Sequence, residues 1–243
     1  MNDESITSDS REFLVRPGTL DASIVEWVHG KNEYRLPQQF APNTVVIDIG
    51  AHIGAFTLAA VDRGAQHVVA VEAMAENRVL AFMNMREEIR QGQVDLIFAA
   101  VADPSRAAVA MTPGEYLDGS LNTGSHRIAV ARPTDAGAVP VVTLETLLTK
   151  AREHFADDEP GHLCVKLDCE GSEWEILGTS ESLSDFEMIV GEFHERPGEV
   201  FGPQRPCTSD GLTDHLRAAG FETALTATTP GLGLFWAWPR RSS

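Results

Sequence analysis

Between residues 45 and 100 short dense apolar runs alternate with longer amphipathic ones. Val45–Ile49 is apolar except for Asp48 and ends at Gly50. His67–Val71 is a second such run and ends at Glu72. The pattern predicts a strand at Val45–Ile49, a helix at Ala55–Asp62, a strand at His67–Val71, a helix at Ala75–Arg90 and a strand at Val94–Ala100. Strands that read as near-continuous apolar runs are buried on both faces. Their alternation with helices implies parallel βαβ units, hence an α/β fold with helices on both faces of a mostly parallel sheet.

The regular pattern lapses over 103–140, which carries Pro, Gly and Asn with short β-like runs at Ala107–Met111 and Arg127–Ala131. This reads as a β-rich insertion lying over one end of the sheet, and Val139–Val142 as one more short strand. A helix follows at Leu144–His154, then an acidic loop at Ala156–Gly161. Strands are predicted at Leu163–Leu167 and Phe186–Phe193, with a short helix from Glu173 between them. A helix at Asp210–Ala219 is capped at Ser209 or Asp210 and stopped by Gly220. Phe221–Leu225 and Leu232–Trp238 form a C-terminal antiparallel hairpin. Residues 1–40 are polar and irregular, with one helical candidate at Ala22–Val28. They are an N-terminal extension, either a lid on the crevice or a partly disordered tail. The main domain is then 41–243.

Composition narrows the partners. The 243 residues carry 19 basic and 36 acidic side chains, a net charge of -17. Phosphate backbones are bound by Lys and Arg patches, so nucleic acid is not an expected partner, and neither is an anionic membrane surface. No run reaches the roughly 18 to 20 apolar residues of a membrane span. The N-terminus has neither a basic segment nor an apolar core, so a cytoplasmic protein is expected. Cys164, Cys169 and Cys207 lack CxxC spacing, and two of them sit in an apolar run as core fillers. His67, His154, His162 and His215 are isolated in sequence and read as non-functional.

The candidate chemistry lies where strands end. Gly50 and Gly54 let the backbone approach a ligand, and the helix that follows presents free N–H groups. Glu72 comes after the first turn by the ~20 residues at which an acid meets ribose hydroxyls in such units. The dinucleotide fingerprint is incomplete, with His52 and Ala55 in place of its second and third glycines. A bulky ring at His52 disfavours a pyrophosphate and favours S-adenosylmethionine. Cofactor contacts are therefore expected from Asp48, Gly50, His52, Gly54, Glu72, Ala100 and Asp168. Asp48 orients the turn or receives the cationic methionine end. Ala99–Asp103 brings small residues and an acid to the crevice edge.

A second cluster is Lys166-Leu-Asp-Cys-Glu-Gly-Ser-Glu173, and the fifth strand ends in Glu192-Phe-His194. In an extended chain Lys166, Asp168 and Glu170 share a face. If the two strands are neighbours, ionisable groups converge at the carboxyl edge of the sheet, which suits proton transfer. The reading makes His194 the first choice of base, Asp168 the second, and Lys166 the group that holds an acid. A divalent ion, Mg for instance, on Asp168, Glu170, Glu192 and His194 is a further reading. Asn122, Ser125 and His126 are placed to reach a substrate.

Val46–Thr57, Val69–Asn77, Ala99–Asp103, Val141–Leu147, Val165–Glu173 and Glu192–His194 together resemble the motifs of the FkbM-type S-adenosylmethionine-dependent methyltransferases. His52 stands where the family usually has Asn, and Ala73 where it usually has Pro. The resemblance covers about 43–195. It implies a class I methyltransferase (Rossmann-like) fold and O-methylation of a natural-product or sugar hydroxyl. The acceptor is then a small molecule or glycoside. The oligomeric state stays open, a homodimer included. The rivals are a non-catalytic ligand-binding protein on the same scaffold and a nicotinamide-dependent oxidoreductase.

Overall fold

A computed structural model describes residues 4–8, 11–112, 115–117 (backbone alone), 119–157 and 159–240. Met1–Asp3, and Asp158 of the acidic loop, lie outside the described residues. The central sheet has seven strands. They are β1 Thr44–Ile49, β2 His67–Glu72, β3 Val94–Phe98, β4 His162–Leu167, β5 Phe186–His194, β6 Phe221–Thr229 and β7 Leu232–Pro239. Their order is β3-β2-β1-β4-β5-β7-β6. β1 to β5 pair in parallel, and β7 runs antiparallel between β5 and β6. From β1 the chain moves outward to β3 and then returns to β4. The strand order therefore reverses between β1 and β4, and a crevice opens at their carboxyl ends.

The helices are α1 Ala55–Asp62, α2 Ala75–Asn84, α3 Arg86–Arg90, α4 Leu144–Arg152, α5 Glu173–Thr179 and α6 Ser209–Ala218. Every residue of β1 and β2 is buried, because both faces are covered. Val45, Ile47 and Ile49 face a core with α4, α5 and α6. Val46 faces the other core, built from α1, α2 and the N-terminal segment. This is why the strands read as continuous apolar runs rather than alternating ones. Among the described residues no helix is long and apolar enough to cross a membrane.

Four expectations need correction. The helix expected at Ala75–Arg90 breaks at Met85, whose side chain is fully buried; α2 and α3 lie on either side. The strand expected at Val94–Ala100 stops at Phe98. Ala100–Val101 turns away and pairs in parallel with Val139–Val142. The cap of α6 is Thr208, whose extended backbone puts its side-chain oxygen on the free N–H of Gly211. The closing hairpin is longer than expected on both strands.

The insertion forms a four-stranded sheet ordered Ile128–Val130, Ala108–Met111, Val139–Val142, Ala100–Val101. A small hairpin, Glu115–Leu117 with Ser120–Asn122, carries it towards the N-terminal segment. There Leu20 N–H donates to the Leu121 carbonyl and Leu121 N–H to the Gly18 carbonyl, each at 3.1 Å. The N-terminal segment is a hairpin, Glu4–Ser8 with Arg11–Val15, then a helix at Asp21–Val25 that widens into a π-type turn at Glu26–Gly30. Asn84 ties it to the turn after β1: its carboxamide accepts from Leu14 N–H and donates to the Ile53 carbonyl.

Candidate active site

The turn after β1 is shaped by its neighbours across the crevice. Gly50 has φ +80°, and a Cβ there would lie 1.9 Å from the Asp168 carbonyl oxygen. Only glycine fits at this crossing of the β1 and β4 ends. Lys166, on β4, sends its Nζ to the Gly50 carbonyl at 2.6 Å and to Asp48 Oδ1 at 3.2 Å. Asp48 is fully buried and also accepts from the Thr57 hydroxyl at 2.6 Å. Burial would lower the Lys166 pKa, but Asp48 and Asp168 outweigh it and raise it.

Two predicted cofactor contacts are relocated. Asp48 lies behind the cavity wall, where it holds Lys166 and Thr57 rather than a ligand's cationic end. Gly54 is also off the wall. Its φ is +92°, and a Cβ would meet the Met85 side chain at 2.9 Å, so the glycine makes room for Met85. Gly50, His52, Glu72, Ala100 and Asp168 all line the cavity. Asp103 does not; its carboxylate caps the Ser105 N–H.

Glu72 joins the two turns. One carboxylate oxygen accepts from His52 N–H at 2.8 Å and the other from Met74 N–H at 2.7 Å. Burial raises its pKa to about 7 even against these donors. His52 has φ +53°, and burial lowers its ring to about 4, so the imidazole is neutral. Its Nε2 lies 2.8 Å from the Thr123 hydroxyl, which donates to Asp21 Oδ1. Asp21, fully buried, is in turn held by Arg16 through three hydrogen bonds. The N-terminal segment, the first turn and the insertion thus meet at His52. Its Nδ1 is buried with no partner among the described residues.

The second cluster converges as the neighbouring strands require. Lys166, Asp168, Glu170, Glu192 and His194 share the cavity wall. His194, however, is not free to act as a base. Its Nδ1 is 3.1 Å from Glu173 Oε1 and its Nε2 is 3.1 Å from Glu170 Oε2. Burial would lower its pKa, but these two carboxylates raise it to about 11, so the ring is an imidazolium. The metal reading gains no support from the geometry. No three of Asp168, Glu170, Glu192 and His194 bring ligand atoms within 4.8 Å of one another.

This imidazolium makes stability depend on pH. A pKa raised above the ordinary 6.5 contributes fully below about 6.5, and the contribution is lost as pH rises towards 11. Stability is expected to fall between pH 7 and 9 by at most about 1.4 kcal/mol per pH unit, seen as a falling melting temperature. His194→Gln should flatten that slope, and a slope unchanged in the variant would detach it from His194.

Residues absent from the sequence reading complete the wall. The N-terminal segment supplies Trp27, Lys31, Glu33 and Tyr34. The Tyr34 hydroxyl donates to Asp168 Oδ2 at 3.0 Å. Burial and then Asp168 push Glu33 up to about 7, and the same two causes raise Glu192. These positions carry no motif or periodic signal, because contacts with residues remote in sequence, such as Tyr34 with Asp168, decide them. Asn77 was also not singled out; it joins the wall from α2 and donates to the Thr123 carbonyl at 2.9 Å. Asn122, Ser125 and His126 of the insertion line the cavity, whose volume is about 880 Å³.

A seven-stranded sheet in this order, with β7 reversed and the cavity at the switch point, is a class I methyltransferase fold. The methyltransferase FkbM domain model matches residues 48–223, more than half of the chain, and the protein belongs to that family. Membership implies S-adenosylmethionine as methyl donor. Among solved structures, the methyltransferase FkbM of Methylobacillus flagellatus KT is 15% identical with a TM-score of 0.49, over 82% of this chain and 44% of that one. The present chain thus spans less than half of that protein. An O-methyltransferase family protein from Burkholderia thailandensis is 12% identical at TM-score 0.46, over 91% of this chain and 59% of that one. M. jannaschii TYW2 in complex with AdoMet is 13% identical at TM-score 0.45, over 97% of this chain and 84% of that one. No curated protein matches.

Proposed function

We propose that the protein transfers a methyl group from S-adenosylmethionine to a hydroxyl of a small-molecule natural product or sugar. The observation that carries this reading is the cavity of about 880 Å³, with Glu72 at one end and Asp168, Glu192 and Glu33 at the other. It is large enough for a cofactor and part of an acceptor. The bound cofactor supplies an electrophilic methyl group on a sulfonium.

This chain's residues do the rest. Glu72, braced by two backbone donors, is placed to accept from ribose hydroxyls. Ala99, Ala100, Val101 and Met111 offer an apolar wall to the adenine. At the acceptor end a hydroxyl must lose its proton. His194, already protonated, leaves this to a carboxylate. Glu192 is the better placed, because burial and Asp168 raise its proton affinity above that of an ordinary carboxylate. Asp168 positions the acceptor, with its own carboxylate steadied by Tyr34 and Lys166. The N-terminal segment and the insertion close over the cavity and select the acceptor.

Calorimetric titration with S-adenosylhomocysteine tests the cofactor half. Micromolar binding is expected, and Glu72→Ala should weaken it more than tenfold, because ribose hydroxyls would lose a buried partner. Equal affinity in the variant would remove Glu72 from the site. Formation of S-adenosylhomocysteine across a panel of hydroxylated acceptors tests the chemistry.

A further inference from the structure

We propose that His67, Asp95 and His154 form a zinc site at the end of the sheet opposite the cofactor cavity. His67 opens β2, Asp95 lies in β3, and His154 follows α4. Glu72, at the cavity, is five residues further along β2, about 17 Å away. The three residues are scattered in the sequence, and only the pairing of β2 with β3 under the end of α4 brings them together.

Their ligand atoms all lie within 4.8 Å of one another. His67 Nε2 is 3.4 Å and His154 Nε2 is 3.2 Å from the same oxygen, Asp95 Oδ2. The His67 ring is 2% exposed, and its Nδ1 donates to the Gly92 carbonyl at 3.0 Å. That bond commits the ring proton to Nδ1 and aims the Nε2 lone pair at Asp95. A metal-binding histidine is usually oriented through its other nitrogen in this way. His67 Nε2 is buried with no hydrogen-bond partner among the described residues. A buried lone pair facing a carboxylate oxygen is unfavourable unless a cation stands between them.

The positive charge now on Asp95 is Lys150, with Nζ 2.7 Å from the same Oδ2. Its side chain is 36% exposed on α4, so it can swing into solvent. The two imidazoles stack, 3.4 Å apart and 7° from parallel. His154, on the turn after α4, can splay away from this stack to converge on an ion. Two imidazole nitrogens and one carboxylate, with water in the fourth position, form a zinc ligand set. The ion would fasten β2, β3 and the α4–β4 connection, so it acts on stability and not on methyl transfer.

The test is calorimetric titration of the whole, EDTA-dialysed protein with zinc chloride, together with thermal melting. One equivalent is expected to bind with micromolar affinity, raising Tm by about 5 °C at a hundredfold excess over Kd. His154→Ala and Asp95→Asn should each weaken binding at least tenfold. Lys150→Ala, which removes the competing cation, should tighten it. The absence of zinc binding would overturn the proposal, as would binding unchanged in both ligand variants. Binding lost instead in Glu170→Gln would place the ion in the cofactor cavity and overturn it too.

Discussion

Lys166→Met should destabilise the protein by about 3–5 kcal/mol, the cost of leaving one partner of a buried ion pair uncompensated. Lys166 and Asp48 are 3% and 0% exposed, and among the described residues Lys166 is the one cation paired with Asp48. The loss reaches the site as well. Lys166 Nζ also holds the Gly50 carbonyl and faces Asp168 at 3.6 Å, so it fastens the cofactor turn to the acceptor side. The double variant Lys166→Met with Asp48→Asn should recover part of the stability, because it removes the orphaned charge while an asparagine oxygen can still accept from Thr57. Denaturant unfolding of both variants measures this. A single variant within about 1 kcal/mol of the parent, or a double variant worse than the sum of its parts, would show that the ion pair does not hold the two strand ends together.

Glu192→Gln should lower kcat by about 10²- to 10⁴-fold, the usual contribution of a positioned general base. Affinity for S-adenosylhomocysteine should stay within a few-fold, and the fold should be intact or more stable, since the change relieves a buried carboxylate repelled by Asp168. Single-turnover methyl transfer at saturating cofactor measures the effect. A kcat within twofold of the parent would remove Glu192 as proton acceptor. A matching loss in Asp168→Asn alone would transfer the role to that residue. His194→Gln is expected to act differently: it should disturb Glu170 and Glu173, to which both ring nitrogens are bound, and so alter stability and its pH dependence more than the acceptor's deprotonation.

Part of the cavity wall was legible in the sequence because strand ends mark it. An apolar run that stops at a glycine or an acid is a local feature, and in a doubly wound sheet such ends face the ligand. Gly50, Glu72, Ala100 and Asp168 were found in this way and line the cavity. The same logic overreached at Asp48 and Gly54. Both sit in the right motif, but which face of the strand or turn meets the ligand depends on Lys166 and Met85, which come from elsewhere in the chain. His194 was misassigned for a similar reason. A histidine at a strand end carries no mark of its partners, and Glu170 and Glu173 arrive from the turn after β4 and the start of α5.

The hydrophobic pattern by itself determined the mostly parallel sheet, and the short motifs at its strand ends carried the family resemblance, because buried strands and the turns between them are written in short contiguous stretches. Only the tertiary structure decided where charge resides. It placed Lys166 on Asp48, protonated His194, raised Glu192, closed the cavity with Tyr34 and Glu33, and brought His67, Asp95 and His154 together. Each of these depends on distance and burial between residues remote in sequence. The energy of an ionisable group is set by its surroundings and not by its neighbours in the chain.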